Sequence, residues 1–284
     1  MHVIVTGGSS GIGLAIAKLY AARGDRVSLL ARHLGRLEQA RGDITARPGI
    51  DSSCIQIASV DAASAEQTAA AVESCEASFG PCDILIASAG IVEPQAFDAM
   101  PASVFEEQIS INFLGTANAV RAVYKGMKAR RSGKIMMTSS GAALIGIFGY
   151  TAYCASKSAL VGFAEALSAE ADGSGVRVSI CFPPDTLTPQ YQREISMRPA
   201  EAEILMGSVK PWSAETVAAR IVRGLDRDKA KIHFGFSLAM LAYFGPLIKP
   251  PLMWFISRKT RKIIGQEPTG SLADAADRGF DHGK

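Results

Sequence analysis

Short apolar runs alternate with amphipathic stretches along most of this chain. Val3-Ile4-Val5 and Val27-Ser28-Leu29-Leu30-Ala31 flank a helical spacing of Leu14, Ile16, Ala17, Leu19 and Tyr20. Brief apolar runs predict buried strands, and apolar positions three and four apart predict helices. The same reading gives a helix over Leu34–Arg41, a turn at Ala46–Gly49, a strand over Ser53–Ala58 and an Ala-rich helix over Ala65–Phe79, stopped by Gly80-Pro81. Beyond it come a strand over Asp83–Ala87, a long helix from Ala102 to Arg130 and a strand over Lys134–Thr138. A helix from Tyr153 to Ala171 and a strand over Val176–Phe182 follow. Strands alternating with helices predict an α/β fold: one doubly wound parallel sheet of the Rossmann type with helices on both faces. No repeat or long linker interrupts the pattern, so residues 1–235 read as one domain.

The pattern then changes. Phe234–Ile248 is apolar apart from Ser237, Lys249-Pro250-Pro251 interrupts it, and Leu252–Ile256 resumes. Arg258, Lys259, Arg261 and Lys262 close the stretch. A membrane span needs about 20 consecutive apolar residues, which neither piece supplies. Apolar residues with a tryptophan and a basic cluster suit the interface of an anionic membrane. The alternative is that they cover a substrate pocket or a partner copy. Residues 236–265 are therefore an apolar and basic C-terminal extension, and 266–284 a polar tail.

Composition narrows the function classes. Of 284 residues 48% are hydrophobic and 20% charged, and the net charge of +3 is too small to indicate nucleic acid. Five cysteines without CxxC spacing, an odd number, predict reduced thiols and a cytoplasmic location. Four isolated histidines support no metal site. The first strand begins at the N-terminus of this sequence, which leaves no signal peptide within it.

Candidate chemistry begins where the first strand ends, in Thr6-Gly7-Gly8-Ser9-Ser10-Gly11-Ile12-Gly13. A strand turning directly into a helix offers free N–H groups and the positive end of a helix dipole. Gly7, Gly11 and Gly13 keep that surface open to a pyrophosphate, and Ser9 and Ser10 add hydroxyls. The end of the second strand carries Arg32, with His33 and Arg36 beyond it, where NAD enzymes usually place an acid. A cation there suits a 2′-phosphate, so the predicted cofactor is NADPH/NADP. Asp61 is a candidate acceptor for an adenine amino group, or else the cap of the next helix. Ala89 and Gly90 are small enough to let an adenosine lie against the fourth strand's end.

Tyr153 and Lys157 lie four apart and share a helix face, and Ser140 follows a strand that points to the same rim. Reduction of a ketone needs a proton for the developing alkoxide. Tyr153 is the candidate acid, Lys157 the cation that lowers its pKa and holds the nicotinamide ribose, and Ser140 the donor that orients the carbonyl. Asn112, a poor mid-helix residue in an apolar run, is a candidate holder for a water linking Lys157 to solvent. Pro183, Thr186 and Thr188, after the sixth strand, are candidates for fixing the carboxamide.

From residue 1 to about 235 the chain resembles the short-chain dehydrogenase/reductase family. The motifs that carry the likeness are Thr6-Gly7-(x)3-Gly11-Ile12-Gly13, Asn112, Ser140 and Tyr153-(x)3-Lys157. Two departures stand out: Ala87-Ser88-Ala89-Gly90 where many members have Asn-Asn-Ala-Gly, and Pro183-Pro184-Asp185-Thr186 where most have Pro-Gly. The second departure, Leu-Ala-Arg at Arg32, and Phe148–Tyr153 are similar to a subgroup, the 3-ketodihydrosphingosine reductases. The resemblance implies NADPH-dependent reduction of 3-ketosphinganine to sphinganine, a lipid-like substrate, and dimers or tetramers formed through the long helices. A reductase for a steroid or 3-oxoacyl chain, or a non-enzymatic NADP(H) sensor, remains open at this level.

Overall fold

Residues 1–207 and 210–264 are described by a computed structural model, in which the apolar runs lie side by side. Strands β1 (His2–Thr6), β2 (Arg26–Ala31), β3 (Ile55–Ser59), β4 (Ile84–Ala87), β5 (Gly133–Thr138) and β6 (Val176–Phe182) alternate with helices. The helices are α1 (Gly11–Ala21), α2 (Leu34–Thr45), α3 (Ala65–Phe79), α4 (Ala102–Ile109), α5 (Gly115–Arg130) and α6 (Thr151–Ala171). After β6 the chain forms β7 (Thr186–Leu187), α7 (Pro189–Ile195), α8 (Ala200–Met206), β8 (Trp212–Ser213), α9 (Ala214–Asp226), β9 (Lys231–His233) and α10 (Gly235–Ile264). Seven strands make one parallel sheet in the order β3-β2-β1-β4-β5-β6-β9, and β7 pairs with β8 in a separate small ladder.

Side-chain alternation explains the two layers of core. Val3 and Val5 of β1 pack with Ile16, Tyr20, Leu37 and Ile221 of α1, α2 and α9. Ile4, between them, points the other way and packs with Val72, Val120, Val123 and Leu160 of α3, α5 and α6. Both sheet faces are therefore covered, as a parallel sheet requires. Strand order reverses between β1 and β4, which opens a crevice at the carboxyl ends of the strands.

Three features differ from the sequence expectation. The helix over 102–130 is continuous but passes through a π-helical turn at Ser110–Leu114, which contains Asn112. A seventh sheet strand, β9, follows a helix, α9, that packs on α1. The Lys249-Pro250-Pro251 break also fails to end the C-terminal helix; the backbone departs from helical geometry at Phe244 instead (φ −116°, ψ 19°), two residues before Pro246. A proline ring clashes with the carbonyl four residues back and removes one bond, bending the helix just ahead of itself. The run Phe236–Arg261 is thus long and apolar enough to cross a membrane by length and composition alone. Leu238 and Leu241, however, pack onto the cores of the main body, so the extension beyond residue 235 is not detached from the sheet domain. The polar tail assigned to 266–284 lies outside the described residues.

Candidate active site

The turn from β1 to α1 is shaped by backbone proximity. Gly7 has φ +68°, and a Cβ there would sit 2.7 Å from the Ser88 carbonyl oxygen; one on Gly13 would sit 2.5 Å from the Gly7 carbonyl oxygen. Gly11 has φ +56°, a conformation in which a side chain is strained. The Gly7 N–H donates to the Leu30 carbonyl at 2.8 Å, tying the turn to β2. Ser10 occupies the N-cap of α1 without a side-chain capping bond, so the first-turn N–H groups keep their capacity for an anion.

This turn is one end of a cleft of about 860 Å³. Every cofactor-site candidate lines it: Gly7, Ser9, Ser10, Gly11, Ile12, Gly13, Arg32, Arg36, Asp61, Ala89, Gly90, Tyr153, Lys157, Pro183, Thr186 and Thr188. The uncapped helix start and the Arg32 and Arg36 guanidinium groups fit a dinucleotide carrying an additional phosphate. Three local bonds refine the expectations. The helix after Asp61 is capped by Ser64, whose hydroxyl accepts from the Gln67 N–H, while Asp61 accepts from the Ala63 N–H at 3.0 Å. Thr186 spends its hydroxyl proton on the Pro184 carbonyl at 2.8 Å, and the Thr188 hydroxyl accepts from the Tyr191 N–H, capping α7.

Midway along the cleft stand Ser140, Tyr153 and Lys157. Lys157 is buried, donates from Nζ to the Thr138 carbonyl at 2.9 Å and lies 5.6 Å from the Tyr153 ring centroid. Gly90 makes room for it, since a Cβ there would be 3.3 Å from Nζ. Burial lowers Lys157 to about 8. The Tyr153 phenol moves opposite to the sequence expectation. Burial pushes it up, and the neighbouring Ser140 hydroxyl offsets this only in part. The Asp185 and Glu194 carboxylates push it further in the same direction. Ser140 accepts from the Ala142 N–H at 3.2 Å, which fixes its hydroxyl at the start of the following turn.

Asn112 lies behind the cleft wall, fully buried. Its Oδ1 accepts from the Ile91 N–H at 2.7 Å, and its Nδ2 donates to the Ile91 carbonyl and to Ser156 Oγ at 2.9 and 3.0 Å. Both amide hydrogens are spent, so the side chain clamps the Gly90–Ile91 loop.

One part of the site was open in the sequence analysis only as an alternative, and a second escaped it. Leu238, Leu241 and Leu252 of α10 line the cleft, and their outward neighbours Phe236, Leu247 and Trp254 are exposed at 79%, 76% and 63%. A buried polar cluster also sits beside Tyr153. Tyr150 donates to Glu194 Oε1 at 2.7 Å, and Arg198 Nη2 donates to Glu194 Oε1 at 2.8 Å and to Asp185 Oδ2 at 3.0 Å. A mixed run such as Tyr191–Arg198 carries no motif; the only signal was Asp185 standing where the family has a small residue.

Residues 1–199 match the short chain dehydrogenase family. The chain belongs to that family. This dehydrogenase is 38% identical over 243 residues to the 3-ketodihydrosphingosine reductase of Bos taurus, covering 85% of the chain and 72% of the relative. It is 36% identical over 235 residues to the 3-dehydrosphinganine reductase of Danio rerio, covering 82% and 71%. Among solved structures it is similar to levodione reductase at a TM-score of 0.75 and 24% identity, over 85% of the chain and 98% of that structure, a likeness of fold. The family membership makes the protein an oxidoreductase.

Proposed function

We propose that this dehydrogenase reduces 3-ketosphinganine to sphinganine with NADPH. The observation that carries the reading is the continuity of the cleft, from the glycine turn past Tyr153 and Ser140 to the leucine wall of α10. Such a wall suits a long alkyl chain, and the named relatives are reductases of that ketone. Bound NADPH supplies the hydride for the ketone carbon. The backbone N–H groups around Gly11–Gly13 would hold its pyrophosphate, and Arg32 and Arg36 its 2′-phosphate.

Tyr153 gives its proton to the developing alkoxide, and its raised pKa keeps that proton in place until then. Ser140 donates to the same oxygen and orients it. Lys157, a cation below about pH 8, holds the nicotinamide ribose and stabilises negative charge on the phenol oxygen. Asn112 positions the Gly90–Ile91 loop against Lys157. The test is NADPH consumption by purified protein with 3-ketosphinganine in detergent, beside a steroid ketone and a short 3-oxoacyl thioester. Preferential turnover of the sphingoid ketone is the expected result; turnover of the others alone would discard the substrate and keep the chemistry.

The same reading makes α10 a contact with the membrane surface of a cytoplasmic, peripheral enzyme. One side of the helix lines the cleft and the other exposes Leu247, Trp254 and Phe255, followed by Arg258, Lys259 and Arg261. A helix lying in the interface keeps both roles, and basic residues add attraction to anionic lipid. Leu247→Glu with Trp254→Glu is expected to lower binding to anionic liposomes at least tenfold, from lost apolar burial of about 1.5–3 kcal/mol per side chain. Flotation measures it, and undiminished binding would remove this face as the contact. Truncation after Arg227 is the poorer test, because it also removes β9. A homodimer or homotetramer through the helices over 102–130 and 151–171 belongs to the same reading, and light scattering reads it out.

A further inference from the structure

The buried cluster beside Tyr153 carries more negative than positive charge. Arg198, 4% exposed in its side chain, faces Asp185 at 3.0 Å and Glu194 at 2.8 Å, with the half-exposed Glu203 at 3.6 Å. Tyr150 adds a neutral donor to Glu194, and the Tyr191 ring lies 5.6 Å from the guanidinium carbon. Arg193, which also lines the cleft, is exposed to solvent, and Lys157 bonds on the far side to Thr138. One buried cation thus serves two carboxylates, the buried Glu194 and Asp185, whose side chain is 17% exposed. Among the described residues, Asp185 Oδ1 has no hydrogen-bond partner, although Asp185 lines the cleft. A carboxylate that shares its one cation with a second acid, in a partly desolvated place, gains from another cation.

The fold puts this charge next to the reacting carbonyl. The Gly141 N–H, directly after Ser140, donates to the Pro183 carbonyl at 3.1 Å, and Asp185 follows two residues on. From the other side, Tyr150 precedes Tyr153 by one helical turn, with ring centroids 6.3 Å apart, and its hydroxyl reaches Glu194. The two carboxylates therefore flank the Ser140–Tyr153 pair. Their effect is felt at the Tyr153 phenol, and burial raises the carboxyl pKa of Asp185 itself.

We infer that Asp185, backed by Glu194 through Arg198, is the specificity-determining residue that binds the ammonium group of an α-amino ketone while Ser140 and Tyr153 hold its carbonyl oxygen. The inference rests on the proposed substrate, in which the amine sits on the carbon next to the ketone. An ammonium two bonds from the carbonyl carbon falls where the cluster lacks positive charge. The Pro183-Pro184-Asp185 sequence, in place of the usual Pro-Gly, is what delivers the acid there. An uncharged steroid or acyl ketone gains nothing from it and meets a partly desolvated carboxylate instead.

The test compares kcat/KM for 3-ketosphinganine and for 1-hydroxyoctadecan-3-one, which has the same chain and ketone but no amine, in wild type, Asp185→Asn and Asp185→Glu. Asn keeps an oxygen for Arg198 and loses only the charge. The preference for the amine-bearing ketone is expected to fall about 10- to 100-fold in Asp185→Asn, the loss of one charge-assisted hydrogen bond, chiefly through KM. Asp185→Glu should restore part of it, which a purely structural role would not. Equal losses on both ketones would overturn the inference. Wild type provides a control free of any folding defect: N-acetylating the amine should cost a similar factor, and no cost would also overturn it. If wild type reduces 1-hydroxyoctadecan-3-one but not 3-ketosphinganine, the substrate reading itself fails, and this inference with it.

Discussion

Tyr153→Phe is expected to bind NADPH as the parent protein does and to reduce 3-ketosphinganine about 10²- to 10⁴-fold more slowly, the range for loss of a positioned general acid. The ring remains, so its contacts with Tyr150 and with Lys157 persist and the fold should be unaffected. Only the hydroxyl beside Ser140 is removed. Cofactor titration by fluorescence and steady-state kcat separate the two effects, and retained turnover would remove Tyr153 as the acid. The parent enzyme should also show a signed pH dependence. Burial lowers Lys157 from 10.5 to about 8, so the lysine is a cation below that pH and neutral above it. Because the phenol is pushed up, it holds its proton throughout this range. The reductive rate should therefore fall as pH rises through about 8, when the charge that stabilises the emerging phenolate is lost. A rate that rises through pH 8 would assign the titration to another group.

What the sequence made legible follows from how local each signal is. The βαβ opening is legible because its glycines answer to contacts a few residues away: Gly13 against Gly7, and Gly7 against the end of β4. Ser140, Tyr153 and Lys157 are legible because one helix and one strand end place them. The direction of the Tyr153 shift is not, since it depends on burial and on Asp185 and Glu194, brought close only by the tertiary fold. Asn112 stands out as a polar residue in an apolar run, but its partners Ile91 and Ser156 come from distant segments. β9 escapes notice because Ile232 is the one buried residue in its three, too short for any period. α10 shows the opposite error. Pro250 and Pro251 read as a break, yet a helix with solvent on its outer side tolerates carbonyls that lack an intrahelical partner.

Arg32→Asp is expected to shift the ratio of NADPH to NADH affinity about 10²- to 10³-fold toward NADH, since it removes charge-assisted phosphate contacts and adds a repulsive charge. The backbone of Arg32 is fixed: its carbonyl accepts from Ser59 Oγ at 2.9 Å, so the side chain leaves the end of β2 in a set direction. Its guanidinium meets Glu107 at 3.4 Å, with the two side chains 44% and 50% exposed. A surface pair of that kind contributes at most about 1 kcal/mol, too little to hold the arginine away from a phosphate. An aspartate at the same position can accept from the ribose hydroxyls instead, the arrangement that favours NAD. Arg36, one helical turn on in α2, keeps some affinity for the phosphate and sets the lower end of the range. Dissociation constants for both cofactors, measured at matched ionic strength because the interaction is screened by salt, decide the matter. An unchanged ratio would show that Arg32 does not bind the 2′-phosphate, and would move the discrimination to Arg36 and His33.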